Sequence, residues 1–280
     1  MRPERRPFTV ETAPRLQGER EGEGPAAVLC HGITASRGYV LHGSRALPRA
    51  GYTVVTYDAR GHGDSEPAPA GEGYGYPELV TDLERVVDSQ VGEEPFLLGG
   101  HSMGAHTAVA YALRHPERLA GLVVVGPVYL GEVEPSSLEY WDGLAAALES
   151  GGVDGFVAYI GEKQGIDPRW RDSVLRFTRE RLLSQRHPEA LAEALRQVPR
   201  SRPFDSLEEL TAIEVPALVV ASDDDADPGH PYAAAAAYAE ALPVARLISE
   251  GPGQSPLAWQ GGRLSRALAD FYAKAISSAP

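Results

Sequence analysis

The chain has 280 residues, 43% of them hydrophobic and 23% charged, enough to bury a sizeable core and to argue against disorder away from the ends. Its formal charge of −13 excludes an extended nucleic-acid footprint, because phosphate binding needs a concentrated cationic surface. Cys30 is the single cysteine, so no intrachain disulfide can form, and no Cys/His cluster has the spacing of a zinc site.

Residues 1–9 carry arginines but no apolar run after them, and the longest apolar stretch, around 119–130, is too short to span a bilayer. The expected location is therefore cytoplasmic. In chain order, residues 8–11 are expected to add an antiparallel edge strand. Strands follow at 26–30 and 52–57, then a helix at 76–89, a strand at 95–98, a helix at 103–114 and a strand at 122–125. Between 131 and about 205 there is no convincing strand, and amphipathic patterns such as 172–183 and 188–198 mark helices. The alternation resumes with a strand at 217–221, a helix at 232–242, a strand at 245–248 and a helix at 262–276. This order predicts a mainly parallel sheet covered by helices, with a core from 1–130 and 206–280 and a helical cap from 131–205.

Gly100-His101-Ser102-Met103-Gly104 is a Gly-x-Ser-x-Gly run, which is weak evidence on its own in a chain with 30 glycines. Its setting is more specific, since it follows the apolar run Pro95-Phe96-Leu97-Leu98 and opens the helix that begins at Met103. Such a turn exposes a nucleophile at the end of a strand. The flanking glycines relieve collisions with neighbouring backbone, and the helix N-terminus points N–H groups toward a developing oxyanion.

With this motif the chain resembles the α/β-hydrolase superfamily, from about residue 26 to the C-terminal helix. The resemblance implies an α/β-hydrolase fold with Ser102 as nucleophile and a cap inserted after the sixth strand. His31-Gly32-Ile33-Thr34 is similar to the family's oxyanion loop, which implies that the N–H groups of Ile33 and Met103 hold the oxyanion, with His31 structural. Asp58-Ala59-Arg60-Gly61-His62-Gly63-Asp64-Ser65 is similar to the loop after the next strand, where His62 is expected to serve architecture. The family's acid follows the strand after the cap. Asp225 is the register match there, with Asp223, Asp224 and Asp227 close by.

After the last strand the family carries a Gly-His pair, but this chain reads Gly253-Gln254. An amide cannot accept a proton near neutral pH, so Gln254 cannot activate a hydroxyl. Three explanations compete. His230, five residues beyond Asp225, serves as the base; or the pocket binds a small molecule and reacts slowly or not at all, as in plant gibberellin receptors; or Gln254 is an engineered replacement that traps an intermediate. His101 and His106 are expected to be packing or polar-contact residues.

Tyr140, Trp141, Phe156, Tyr159, Trp170 and Phe177 are candidate cap residues to line a pocket, although about half are expected to form the cap's own core. Arg169, Arg171, Arg176, Arg179 and Arg181 could attract an anionic group, but helical surface charge is the expected reading. The function expected is a cofactor-free serine hydrolase acting on an ester, thioester or lactone of partly apolar character. The alternatives are a catalytically silent binding protein and an acyltransferase. A serine at the elbow argues against the dehalogenase and epoxide-hydrolase branches, which attack with aspartate. Substrate identity and oligomeric state have no readable motif.

Overall fold

The computed structural model describes residues 4–133, 135–222 and 227–277. The first half of the chain forms β1 (Arg5–Val10), β2 (Leu16–Glu21), β3 (Ala26–Cys30), α1 (Ala46–Arg49), β4 (Thr53–Tyr57), α2 (Tyr76–Gln90), β5 (Phe96–His101), α3 (Met103–Arg114) and β6 (Leu119–Val125). Three helices follow, α4 (Pro135–Lys163), α5 (Pro168–Leu183) and α6 (Pro188–Gln197). The chain then returns through β7 (Ala217–Val220), α7 (Tyr232–Ala241), β8 (Ala245–Ile248) and α8 (Gly261–Ser277).

Among the described residues eight strands form one sheet in the order β1-β2-β4-β3-β5-β6-β7-β8. The pairs β1–β2 and β2–β4 are antiparallel and the rest are parallel. This is the expected α/β-hydrolase architecture, with helices inserted after the sixth strand. Successive strand residues face opposite sides, so both sides are apolar. Val28, Cys30, Leu98 and Val124 pack with α2 and α3, while Ala27, Leu29, Leu97 and Val123 pack with α1 and α8.

β2 departs from expectation. The edge strand expected at 8–11 is β1, at Arg5–Val10, and it joins the sheet through an additional antiparallel strand, β2, of sequence Leu16-Gln17-Gly18-Glu19-Arg20-Glu21. Period-2 apolar patterning is absent there because the buried positions are Leu16, Gly18 and Glu21. Gly18 faces Phe8 across the ladder, and a Cβ on it would stand 2.1 Å from the Phe8 ring, so the aromatic covers the glycine. α4 also bends: Gly152 has φ 59° and ψ −148°, and two helical segments meet there.

Two polar clusters fix the loop after β4. Arg60 is buried and makes a two-pronged pair with Asp82 of α2, Nε to Oδ2 at 2.7 Å and Nη2 to Oδ1 at 2.8 Å. Its Nη1 donates to Glu72 at 2.9 Å and to the Gly73 carbonyl at 3.0 Å. Asp58, equally buried, accepts from the Arg37 N–H at 2.7 Å and from the Asp64 N–H at 2.9 Å, and pairs with the Arg37 guanidinium. These bonds tie the loops after β3 and β4 together beside the end of β5.

Candidate active site

β5 runs three residues past its expected end, because Gly99, Gly100 and His101 continue the ladder with Val123, Val124 and Val125 of β6. The chain then reverses at Ser102, whose φ of 53° and ψ of −116° lie where a residue with a Cβ is strained by about 1–3 kcal/mol. Its N–H donates to the Val125 carbonyl at 2.9 Å, and its carbonyl accepts from the His106 N–H at 3.1 Å, so both flanking elements hold the turn. A Cβ on Gly100 would lie 2.1 Å from the Gly104 carbonyl oxygen, and one on Gly104 would lie 2.3 Å from that of Cys30. Glycine at both positions is therefore a steric necessity.

The Gly32–Ala35 segment closes a turn in which the Ala35 N–H donates to the Gly32 carbonyl at 2.9 Å. Ile33 and Met103 are buried beside Ser102 and line the same cavity. Among the described residues neither of their N–H groups donates to a protein acceptor. His62 braces this turn, its Nε2 lying 2.8 Å from the Ile33 carbonyl and its Nδ1 2.8 Å from that of Arg60. His31 bridges the turn to the next loop, with Nδ1 donating to the Gly32 carbonyl at 2.8 Å and Nε2 accepting from the Ala59 N–H at 2.9 Å.

On the opposite wall the loop after β7 turns at Asp227, where the His230 N–H meets the Asp227 carbonyl at 3.0 Å. The His230 Nδ1 lies 3.0 Å from Asp227 Oδ2, in a largely buried pair. A carboxylate accepts only, so Nδ1–H is the donor of this bond and Nε2 is the ring nitrogen left for other partners. Burial pushes the Asp227 carboxyl up, but the charge and hydrogen bond of His230, with His101 and Arg181 nearby, leave it net below the usual range. The imidazole packs over Gly126, where a Cβ would approach it to 3.2 Å, and its centroid is 4.9 Å from the His101 ring. Ser102, Ile33, Met103, Asp227 and His230 all line one cavity of about 650 Å³.

The family model described as the alpha/beta hydrolase fold matches residues 25–254. The chain belongs to the α/β-hydrolase family. It is 39% identical over 109 residues to epoxide hydrolase B of Mycobacterium tuberculosis, a match covering 39% of this chain and 30% of that protein. It is 29% identical over 242 residues to a protein of Agrobacterium fabrum that carries the name carbamate hydrolase RutD, covering 83% of this chain and 86% of that one. A thermophilic esterase from Thermogutta terrifontis has the same fold, with a TM-score of 0.78 at 23% identity over 97% of this chain and 99% of that one.

In this α/β-hydrolase, Gln254 stands apart from the cavity. It is exposed on the turn after β8, its N–H donating to the Gly251 carbonyl at 3.1 Å and its Oε1 accepting from Arg263 of α8. Glu250, buried at the head of that turn, accepts from the Leu257 N–H at 2.9 Å. Asp225 lies outside the described residues. His106 is a polar-contact residue: its Nε2 accepts from the Val128 and Tyr129 N–H groups at 3.0 and 3.2 Å, and its Nδ1 meets the Tyr76 hydroxyl at 2.9 Å. His101 does more than pack, since its ring lines the cavity against His230.

Of the six cap aromatics, Tyr140, Trp141, Phe156 and Phe177 line the cavity, whereas Tyr159 and Trp170 do not. Tyr159 packs on Tyr140, and Trp170 meets Trp259 edge-on. The five arginines of α5 divide: Arg169, Arg171, Arg176 and Arg179 are exposed, but Arg181 turns into the cavity. The signal was in the spacing, because Val174, Phe177, Thr178 and Arg181 stand at i, i+3, i+4 and i+7 on one helix face. Trp259, from the turn before α8, also lines the cavity and has no local pattern that marks it.

Among the described residues, no group of three or more His, Cys, Asp or Glu is placed to hold a metal ion, and no helix is long and apolar enough to cross a membrane. Burial pushes the Cys30 thiol up to about 12, so it remains protonated at neutral pH. Burial also pushes the imidazoles of His31 and His106 down to about 3, from an ordinary 6.5. Below pH 6.5 the unfolded chain takes up protons that the folded chain refuses until about pH 3. Stability is expected to fall across that window by up to about 1.4 kcal/mol per pH unit for each histidine. Urea unfolding midpoints measured from pH 7 downward test this; a midpoint unchanged to about pH 5 would contradict the neutral burial of both rings.

Proposed function

We propose that the protein is a serine hydrolase that cleaves an ester, thioester or lactone through an acyl-enzyme on Ser102. The observation that carries this reading is the Asp227–His230 pair, 3.0 Å apart, in the cavity that Ser102 lines. It supplies a base although the position after β8 holds an amide. The names of the relatives share hydrolysis as their chemistry, and a serine at the elbow keeps the reading on acyl groups in spite of the epoxide hydrolase match.

In this reading the Ser102 hydroxyl attacks the carbonyl carbon while His230 Nε2 takes its proton, and Asp227 holds the imidazole and steadies its positive charge. The N–H groups of Ile33 and Met103 receive the developing oxyanion, and the positive end of α3 adds to their field. Collapse of the tetrahedral species expels the alcohol or thiol, which takes the proton back from His230. Water then repeats the sequence on the acyl-enzyme and releases the acid. The segment 131–205 acts as the cap that roofs these groups, and its aromatic wall favours a partly apolar substrate.

Rapid acid quench of the protein with 4-nitrophenyl acetate, followed by peptide mass analysis, tests the covalent step. An acetyl group on the peptide containing Ser102 is expected. Turnover with no acyl adduct on that peptide, or an adduct on another residue, would contradict the reading.

A further inference from the structure

Arg181 is the cation that the proposed chemistry leaves unused. It descends from α5 into the cavity, where its Nε is buried without a hydrogen-bond partner and its Nη2 donates to Thr178 Oγ1 at 3.3 Å. Among the described residues no carboxylate lies within 4.0 Å of its guanidinium; nearby arginines such as Arg37, Arg179 and Arg186 are each paired with an aspartate. A guanidinium cannot shed its charge at any working pH, so a half-buried one with no counter-ion in contact keeps part of its desolvation penalty in the folded protein.

The other titratable groups facing it do not supply that counter-ion. Asp227 acts on Arg181 through space but is hydrogen-bonded to His230. Tyr39, His42 and His101 share the wall as neutral groups, and Glu132 lies on an exposed stretch of the rim. Leu144, Phe156 and Ile160 give the cavity an apolar wall, Ser136, Ser137, Tyr140 and Gln164 add neutral polar groups, and no Lys or second Arg is among its described lining residues.

We propose that Arg181 is a specificity-determining residue that binds a carboxylate on the substrate, so that the enzyme acts on esters or lactones bearing one carboxylate besides the bond cleaved. This deepens, and rests on, the hydrolase reading of Ser102. A carboxylate matches the guanidinium in charge and in planar geometry, since the two terminal Nη groups present paired N–H donors while Nε is enclosed by protein. A phosphate dianion would leave a negative charge uncompensated beside Asp227. Binding gives the cation a charge-assisted pair that the folded protein does not itself supply.

Two matched pairs of esters test this with the purified full chain. Mono-4-nitrophenyl glutarate against 4-nitrophenyl pentanoate places the carboxylate on the acyl side, and 3-(pentanoyloxy)benzoate against phenyl pentanoate places it on the leaving group. One carboxylated member is expected to show kcat/KM higher by on the order of 10- to 100-fold than its neutral partner, mainly through KM. That ratio should fall to about unity in Arg181→Leu and recover in part in Arg181→Lys, which keeps the charge but loses the fork. The absence of a preference in both pairs, or a preference that survives Arg181→Leu, overturns the proposal. If no ester is turned over, the hydrolase reading fails separately, and calorimetry with glutarate then decides. Binding lost in Arg181→Leu sustains the carboxylate site, and no binding to the wild-type protein overturns it.

Discussion

Replacement of Ser102 or His230 by alanine is expected to lower kcat/KM for an aryl ester by about 10³- to 10⁶-fold, with the double replacement little worse than either single one. The two groups act in one proton-coupled attack, so removing either leaves the other without a task. What remains is the residual rate from the oxyanion donors of Ile33 and Met103 and from binding. Circular dichroism should stay native in both variants; the unfolding midpoint should barely change in Ser102→Ala, whereas His230→Ala leaves the buried Asp227 carboxylate without its partner and should lower it. Additive losses in the double variant would mean that the two side chains do not act together. Full activity in His230→Ala would remove it as the base.

The second large effect is on folding. Gly104→Ala would put a Cβ 2.3 Å from the Cys30 oxygen, 2.5 Å from the Cys30 carbonyl carbon and 2.7 Å from the His31 oxygen. All three are backbone atoms at the end of β3, so no side chain can swing away and α3 must withdraw from the sheet. A loss of about 3–5 kcal/mol is expected, with the oxyanion turn disturbed at the same time. Gly38→Ala is the matched control, since a Cβ there meets nothing within 4 Å and the change should stay within about 0.5 kcal/mol. Urea midpoints of the two variants check this; equal midpoints would show that the elbow does not depend on close approach of helix and strand.

What the sequence displays follows from where the physics is local. β3 is legible because both of its faces are apolar and buried, and it begins and ends where patterning puts it; the half-buried edge strand β8 does so too. β2 is not, since a strand whose inward positions are Leu16, Gly18 and Glu21 depends on Phe8 across the ladder for its cover. The elbow is legible because its two glycines fall within five residues, in a strand–turn–helix setting, although the contact that requires Gly104 comes from Cys30 on another strand. The carboxylate partner is less so. Four aspartates follow β7 within five positions of the sequence; Asp227, joined to His230 by its turn, is described, whereas Asp223, Asp224 and Asp225, the register match, lie outside the described residues. Arg181 stood in plain view among five arginines, but its role depends on the phase of α5, which composition does not reveal.

Gln254 frames the decisive measurement. It is exposed and bonded to Arg263, away from the cavity, whereas His230 lines the cavity with Ser102. A fluorophosphonate probe applied to the wild-type protein and to His230→Ala and Gln254→His, read by intact mass and peptide mapping, asks which position carries the base. Ser102 is expected to be labelled in the wild type, with labelling lost in His230→Ala and little changed in Gln254→His. An inert Ser102 in the wild type that becomes reactive only in Gln254→His would contradict the account, because the base would then belong to the turn after β8 and be missing from this chain.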